Sequence, residues 1–367
     1  MILTYYALDQ DHAVLGQIDA YTKMEFVPAY NTARGWYMEM DPDTAQATVM
    51  QAAVYLLAVN SDSEAIWSGT IDDIELDGET NVLTIRGVCE TAILNDRLAL
   101  PVPSGPPYTS SEYDSRSGTA ENVIKAYINY NAGLSANVDR RIYGLTVETD
   151  YGRGGAYSGM ARFDKLADLV FGIGISKDLW VRVLNGVALV QEPVDRTALI
   201  QLSDVTDTLL KWKFHWGKPK TNYIYGGGAG SGTSQAIYER GDGVSISQYG
   251  RREGFLNIGR TAVTGEIADQ IDAELAKTAA IAWFEFVVNP DMPDRVLGVD
   301  YWVGDLVSVT IKGVSFTARL SEVTITDTKD KIEVKPVFVN NASYTLSRNA
   351  YDRFRRLEER IARLEVQ

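Results

Sequence analysis

Two pairs of neighbouring acids, Asp72-Asp73 and Asp9 with Asp11, come nearest to a reaction by type and spacing. Two carboxyls that flank a glycosidic bond at the right separation can hydrolyse it. Successive side chains of a strand point to opposite faces, however, so Asp72 and Asp73 make a weak pair. The chain has two histidines, His12 and His215, and one cysteine, Cys89. That set cannot build a histidine- or cysteine-rich metal site, which leaves only carboxylate sites open. Ser158 and Ser231 lie outside any glycine-serine-glycine elbow, and with so few histidines a Ser-His-Asp triad has poor prospects. Cys89 sits in an apolar run and reads as a small buried side chain rather than a nucleophile. A single cysteine forms no intrachain disulfide. Alternating Gly228, Gly230 and Gly232 in the run 226–232 could suggest a phosphate cradle, but that loop needs a Lys-Ser/Thr pair opening a helix. Thr233-Ser-Gln-Ala-Ile-Tyr follows instead, so a flexible loop is expected. The expectation is no catalysis, no cofactor and no metal.

The net charge of −14 argues against a nucleic-acid-binding surface, because phosphates would be repelled. Aromatics are plentiful, with 20 tyrosines and 7 tryptophans. Clusters such as Lys211-Trp-Lys-Phe-His-Trp216 and Tyr223-Ile-Tyr225 can stack on sugars, line an interface or fill a core. The N-terminus lacks a basic segment followed by a long apolar one, so no signal peptide is read. The apolar stretch Val49 to Val59 is too short to cross a bilayer, and a soluble product is expected.

The elements that position these residues are mostly strands, and the fold class reads as α+β, mainly β. Trp67 to Ile71 alternates, and Val82-Leu-Thr-Ile-Arg follows the turn Asp77-Gly78. After the exposed connection from Pro101 to Ser117, a helix capped by Ser117 or Thr119 runs to Asn131, with Val123, Ile124, Tyr127 and Ile128 on one face. A second helix is expected from Ser158 to Phe171, and a third from about Glu266 to Ala280, capped by Thr264. Strands are expected at Leu179 to Val183, Val187 to Val190, and from Val307 onwards.

An internal duplication is visible. Residues 67–88 lie ungapped over 316–337 at a constant offset of 249. Trp67 matches Phe316, Ile74 matches Val323, Leu76 matches Ile325, Leu83 matches Ile332 and Ile85 matches Val334. Both copies change parity at the same place: Trp67, Gly69 and Ile71 share one parity whereas Ile74 and Leu76 take the other, and the second copy does likewise at Ser321-Glu322. A one-residue slip of this kind is how a β-bulge bends a sheet into a corner. Two similar small β-barrel domains are expected, with helix-containing regions inserted between them.

The last twenty residues carry a coiled-coil seam. Ala350, Phe354, Leu357, Ile361 and Leu364 recur in steps of four and three, with Arg353 and Arg360 at g and Glu358 and Glu365 at e. Arginine at g can reach glutamate at e of a neighbouring helix, which sets register. These nine residues are the expected trimer interface, although Ile at a with Leu at d also suits two strands. A single amphipathic helix docked on its own body is the alternative. A seam this short is marginal alone, so it reports an association that the body also supports.

Together these features resemble the baseplate-hub and tail-tip family of tailed bacteriophages, which includes siphophage tail-associated proteins and contractile-tail hubs. The resemblance is carried by Ser117-Gly-Thr-Ala-Glu-Asn-Val-Ile-Lys-Ala-Tyr-Ile128, by Gly298-Val-Asp-Tyr-Trp-Val-Gly-Asp-Leu-Val307 and by the Trp67-Ser-Gly-Thr-Ile hairpin, and it extends over roughly residues 1–345. It implies a first hub barrel in 1–100, an inserted α+β region in 101–215, a region 216–345 holding the second barrel, and the helix 346–367. It further implies a structural homotrimer at the virion tail tip, adapting a six-fold tube to a three-fold spike or fibre. Implied partners are the distal tail protein or tube ring above, the tape-measure protein, and spike or fibre proteins at the tip, with DNA passing transiently through the channel. No peptidase or lysozyme module is recognisable, so the lytic activity of some relatives does not carry over. A trimeric receptor- or carbohydrate-binding tail protein is the alternative, with a glycosidase as a third class.

Overall fold

Alternation of apolar and polar residues makes the first quarter of the chain a run of strands: β1 (Thr4–Leu8), β2 (Val14–Ile18), β3 (Tyr21–Phe26), β4 (Gly35–Met40), β5 (Tyr55–Val59), β6 (Ala65–Thr70), β7 (Asp73–Asp77) and β8 (Val82–Val88). One helix interrupts them, α1 (Ala45–Ala52), whose first turn is capped by the Thr44 hydroxyl accepting from Ala47 N at 3.2 Å. The computed structural model describes residues 2–206, 208–259, 263–279, 281–288, 297–311 and 314–340. A first compact unit comprises the described residues within 1–215 and 283–341, and a second those within 216–282.

In the first unit a small sheet has the order β2-β1-β5-β6. It packs on a larger sheet through aromatic edges: Tyr5 meets Phe26 at 6.2 Å, Phe26 meets Trp67 at 4.9 Å, and Trp36 meets Trp67 at 5.8 Å. Met24, Met38, Met40, Leu83 and Ile85 fill the space beneath and are buried.

The inserted region holds β9 (Leu98–Ala99), β10 (Asp114–Thr119), α2 (Ala120–Asn131), β11 (Thr146–Val147), β12 (Ala156–Ala161), β13 (Asp164–Lys165), α3 (Leu166–Ser176), β14 (Trp180–Leu184) and β15 (Val187–Gln191). The helix expected after Thr119 is α2, and the Thr119 hydroxyl accepts from Asn122 N at 3.3 Å. The helix expected from Ser158 begins only at Leu166. Ala156–Ala161 pairs with β10 instead, and a turn with Phe163 at φ 58 separates strand from helix. A short strand, β16 (Gln201–Ser203), and a longer one, β17 (Leu209–Gly217), follow.

The second unit folds around Ile224, Ile258, Ile267 and Ile271. Its elements are β18 (Tyr223–Gly227), β19 (Ile237–Gly241), α4 (Gly243–Tyr249), β20 (Glu253–Asn257) and α5 (Thr264–Thr278), with sheet order β19-β18-β20. Thr264 is the first residue of α5 rather than its cap, which is Val263. The glycine run expected as a loop begins inside β18. A Cβ at Gly226 would stand 2.7 Å from Ile271 Cδ1, so glycine there lets the helix settle on the strand.

The chain ends its described course with β21 (Ile281–Val288), β22 (Leu306–Ile311), β23 (Val314–Thr328) and β24 (Ile332–Asn340). These strands join the larger sheet, whose path is β17-β21-β24-β23-β3-β4-β8-β7, with β22 and β16 off it. The β7–β8 hairpin of the first copy and the β23–β24 hairpin of the second therefore lie in one open sheet, where two closed barrels were expected, while Trp67–Thr70 of the first copy belong to β6 in the small sheet. The reason is a single junction: Ile325–Thr328 of β23 pairs antiparallel with Phe26–Lys23 of β3, so each array spends that edge on its neighbour. The shared phase break is real in both copies but solved differently. In the first, the chain leaves one sheet at Thr70 and enters the other at Asp73. In the second, β23 continues and bulges between Leu320 and Glu322.

The repeat is larger than the matched hairpins. β3-β4-β8-β7 and β17-β21-β24-β23 are two four-stranded arrays whose strands follow one another in the same relative chain order. The second differs in its hairpin register, since Leu76 pairs with Leu83 whereas Ile325 pairs with Val334. A slip of two residues keeps every side chain on its face. The helix expected over 346–367, with Ala350, Arg353, Phe354, Leu357, Glu358, Arg360, Ile361, Leu364 and Glu365, lies outside the described residues.

Candidate functional site

The outer face of the larger sheet in the first unit carries polar and charged residues in cross-strand rows. Strand pairing sets its rows. Asp73 lies across from Arg86, Arg86 from Tyr37, Tyr37 from Glu25, Glu25 from Thr326, and Thr326 from Glu333. Beside this row run Glu75, Thr84, Glu39, Lys23 and Thr328. Arg86 Nη1 reaches Asp73 Oδ2 at 3.2 Å and Glu75 Oε2 at 2.5 Å, and Thr326 Oγ1 donates to Glu25 Oε2 at 3.0 Å. Lys23 stands 4.9 Å over the Tyr37 ring. Lys331 and Lys335 flank Glu333, and the Lys331 bond holds the Glu333 carboxyl below its usual range. Acids predominate towards β7, so that end of the face repels polyanions while its alternating charges hold water.

Three buried polar contacts hold this sheet to its neighbours. Asp327 Oδ2 accepts from Tyr5 Oη at 2.9 Å and Tyr21 Oη at 2.8 Å. Asn31, fully buried, donates to Leu179 O and accepts from Val181 N, both at 2.7 Å. Glu90, also fully buried, takes His12 Nε2 at 2.7 Å and Gly186 N at 2.9 Å on Oε1, and the Ser68 hydroxyl on Oε2. His12 is stacked on Tyr55 at 4.3 Å, and Asn185 N donates to Ser68 Oγ at 3.0 Å.

Ser68, Glu90 and His12 are the three residue types of a catalytic triad in the wrong order. The carboxylate stands between the other two, so the histidine cannot take the serine's proton. Their role is to tie the β1–β2 turn, β6 and the β14–β15 turn together. The sequence reading missed this cluster because its members lie 22 and 78 positions apart and no local pattern links them.

The acid pairs do not assemble a reacting site. Asp9 Oδ1 accepts from Asp11 N at 2.8 Å and Ala13 N at 2.9 Å, which closes a turn. Asp73 is engaged by Arg86 on an exposed strand beside Asp72. Burial pushes the Cys89 thiol up, away from the reactive thiolate. Among the described residues, no group of three or more His, Cys, Asp and Glu side chains could hold a metal ion. No helix among them is long and apolar enough to cross a membrane. Ser158 lies in β12 and Ser231 caps a short turn of 3₁₀ helix. The run Lys211–Trp216 lies in β17, and its side chains and His215 lie outside the described residues. Tyr223 and Tyr225 share the outer face of the second unit's sheet, 5.3 Å apart, with the Arg251 guanidinium 3.5 Å over Tyr223 and with exposed Phe255.

Burial raises the hydroxyl pKa of Tyr5, with Asp327 adding to the effect, and burial likewise raises that of Tyr127. Both stay neutral in the folded chain while tyrosine in the unfolded chain ionises near pH 10. This contribution is complete below that pH and is lost as pH rises above it. Stability is therefore expected to fall by roughly 1.4 kcal/mol per pH unit per buried tyrosine above about pH 10. Urea titrations between pH 9 and 11 should show a shallower fall for Tyr5→Phe, and identical slopes would contradict this reading.

The architecture is that of phage tail proteins. The 43 kDa tail protein of prophage MuSo2 from Shewanella oneidensis has the same fold, with a TM-score of 0.58 at 11% identity over 93% of this chain and 98% of that one. So do the Neisseria meningitidis MC58 tail protein (0.57, 11%, 93% and 97%) and the Listeria monocytogenes prophage tail protein gp18 (0.55, 9%, 94% and 96%). At such identities the fold alone is shared. The chain itself belongs to the Siphovirus ReqiPepy6 Gp37-like protein family, whose pattern matches residues 4–338. No curated protein matches the sequence. The tail-tip and baseplate resemblance read from the residues is thus borne out at the level of family and fold.

Proposed function

We propose that this protein is a structural component of the virion tail tip, a homotrimeric hub that adapts a six-fold tail tube to a three-fold spike or fibre. One observation carries the reading: two four-stranded arrays of the same strand order stand side by side in one chain. Three copies then present six near-equivalent arrays, which is what a match between six-fold and three-fold symmetry requires. On this reading the hub modules fall within 1–100 and 216–345, the latter borrowing β17 from just before it, with 101–215 inserted and 346–367 gathering on the axis. Barrel closure arises between chains rather than within one. The charged outer face of the sheet lines part of the DNA exit path, where its acids keep the passing polyanion from sticking. The tube ring and distal tail protein dock above, with tape-measure and spike or fibre proteins at the tip.

Sedimentation mass and end-on electron microscopy test the proposal. Three chains with six equally spaced densities are expected, whereas a monomer at every concentration would overturn it. Replacing Leu357 and Ile361 with aspartate should raise the concentration at which the trimer dissociates by tenfold or more while the melting curve of the body is unchanged. An unaltered dissociation curve would remove the C-terminal seam from the account.

A second reading, a carbohydrate- or receptor-binding tail protein, is favoured by the surface formed by half-buried Tyr223 and Tyr225 with exposed Phe255 and Arg251, since aromatic faces stack on sugars. Glycan binding that disappears in Tyr223→Ala would support it.

A further inference from the structure

We propose that the outer face of the second unit's sheet binds a neutral glycan, one sugar ring stacking on Phe255 while Arg251, Glu253 and Asn257 exchange hydrogen bonds with its hydroxyls. The proposal rests on the glycan-binding reading above and adds to it the contact residue and the charge class of the sugar.

Strand pairing sets this face in three rows. Gly241, Tyr223 and Glu253 lie side by side, then Glu239, Tyr225 and Phe255, then Ile237, Gly227 and Asn257. Side chains alternate along a strand, so Ile224 and Gly226 turn inward to Ile271 and these rows turn outward. At two glycines of the face an aromatic ring lies down. A Cβ at Gly241 would stand 2.5 Å from Tyr223 Cδ2, and one at Gly227 would stand 2.7 Å from Phe255 Cζ. Each ring therefore leans across a glycine instead of standing up from the sheet. The two rings differ in what covers them. Tyr223 carries the Arg251 guanidinium 3.5 Å over its ring, and its hydroxyl engages the Glu239 carboxylate. Phe255 is 61% exposed. Phe255 is thus the ring whose face is open to a ligand, and Tyr223 is the support that positions Arg251.

The polar groups around that ring are already fixed. Arg251 Nε donates to Glu253 Oε1 at 2.7 Å, and its Nη2 donates to Tyr225 Oη at 2.6 Å. Tyr225 in turn donates to the same Glu253 oxygen at 3.2 Å, and Gln235 Nε2 donates to Asn257 Oδ1 at 3.4 Å. Groups ordered before a ligand arrives lose little entropy when it binds. Both bonds to Glu253 fall on one oxygen, so the other can still accept, and Arg251 Nη1 and the Asn257 amide nitrogen can still donate. A sugar ring offers the matching pattern, an apolar C–H face rimmed by hydroxyls. Protein contacts of high energy instead sit in pockets whose surroundings exclude water, whereas Phe255 stands on an open floor among charges. Charge then narrows the class. Glu239 and Glu253 outnumber Arg251 on this face, so phosphate-linked and uronate chains are repelled. A neutral hexose or N-acetylhexosamine chain meets no such repulsion.

The test is titration calorimetry on the full chain with chitohexaose, cellohexaose and maltohexaose as neutral probes, and polyglycerol phosphate and polygalacturonate as anionic ones. At least one neutral probe should bind. Phe255→Ala should weaken it by roughly tenfold or more with the melting midpoint unchanged, because stacking on an exposed ring is lost, and Phe255→Trp should restore it. Tyr223→Ala should also weaken binding, but no further once Arg251 is already alanine, since the ring acts through the guanidinium. Neutral binding that Phe255→Ala leaves untouched would sink this site and leave the glycan reading standing elsewhere on the chain. No binding of any probe would sink both. Binding confined to the anionic polymers would overturn the charge class and with it the proposal. A native mass that falls in Phe255→Ala, with no hexasaccharide bound by the parent chain, would show a protein interface instead and overturn the proposal.

Discussion

Glu90→Ala is expected to lower the stability of the first unit by about 4 kcal/mol, since it leaves several buried partners without their acceptor. The carboxylate is fully buried and serves His12, Ser68 and the backbone of Gly186. Removing it strands the Gly186 N–H and the Ser68 hydroxyl in a site with no room for bulk water. Each unsatisfied buried donor costs about 1–3 kcal/mol, and the histidine loses its hydrogen bond to the carboxylate besides. Glu90→Gln keeps one acceptor oxygen and should cost about half as much. Urea unfolding followed by tryptophan fluorescence would measure both. A loss below about 1 kcal/mol for the alanine variant would show that the cluster is dispensable.

Gly87→Val should cost about 3 kcal/mol or more, because the new side chain has nowhere to go. A Cβ at Gly87 would lie 1.8 Å from the carbonyl oxygen of Thr70 and 2.7 Å from Trp36 Nε1. Those two atoms are themselves bonded, Trp36 Nε1 donating to Thr70 O at 2.8 Å. The obstruction is thus backbone, at the point where the chain passes from one sheet to the other, and no rotamer relieves it. Calorimetry should show a fall in melting temperature of roughly 6–12 °C for a unit of this size. Gly35→Ala, in the paired strand, is the control. Its Cβ would meet Gly87 O at an ordinary 3.6 Å, so little change is expected.

The glycosidase reading loses its support at the level of geometry. Asp9 is occupied closing a turn, and Asp73 answers Arg86 on an open strand, so neither pair brackets a cleft. The helix expected from Ser158 shows how local pattern misleads in another way. Ser158–Ala161 is compatible with either state, and the free edge of β10 decided for strand.

The sequence by itself determined what depends on near neighbours. The capped helix after Thr119, the hairpins around residues 77–82 and 328–332, and the duplication with its paired phase breaks were all legible. Each is written in the spacing of side chains along a few turns or pleats. Only the tertiary structure decided which of two matching stripes would be covered. Val323 and Ile325 share their pattern with Ile74 and Leu76, yet the first pair is sealed and the second exposed. Periodicity reports which side chains share a face, whereas burial depends on what arrives from elsewhere. Here that was β3, pairing with β23 across some three hundred residues of chain.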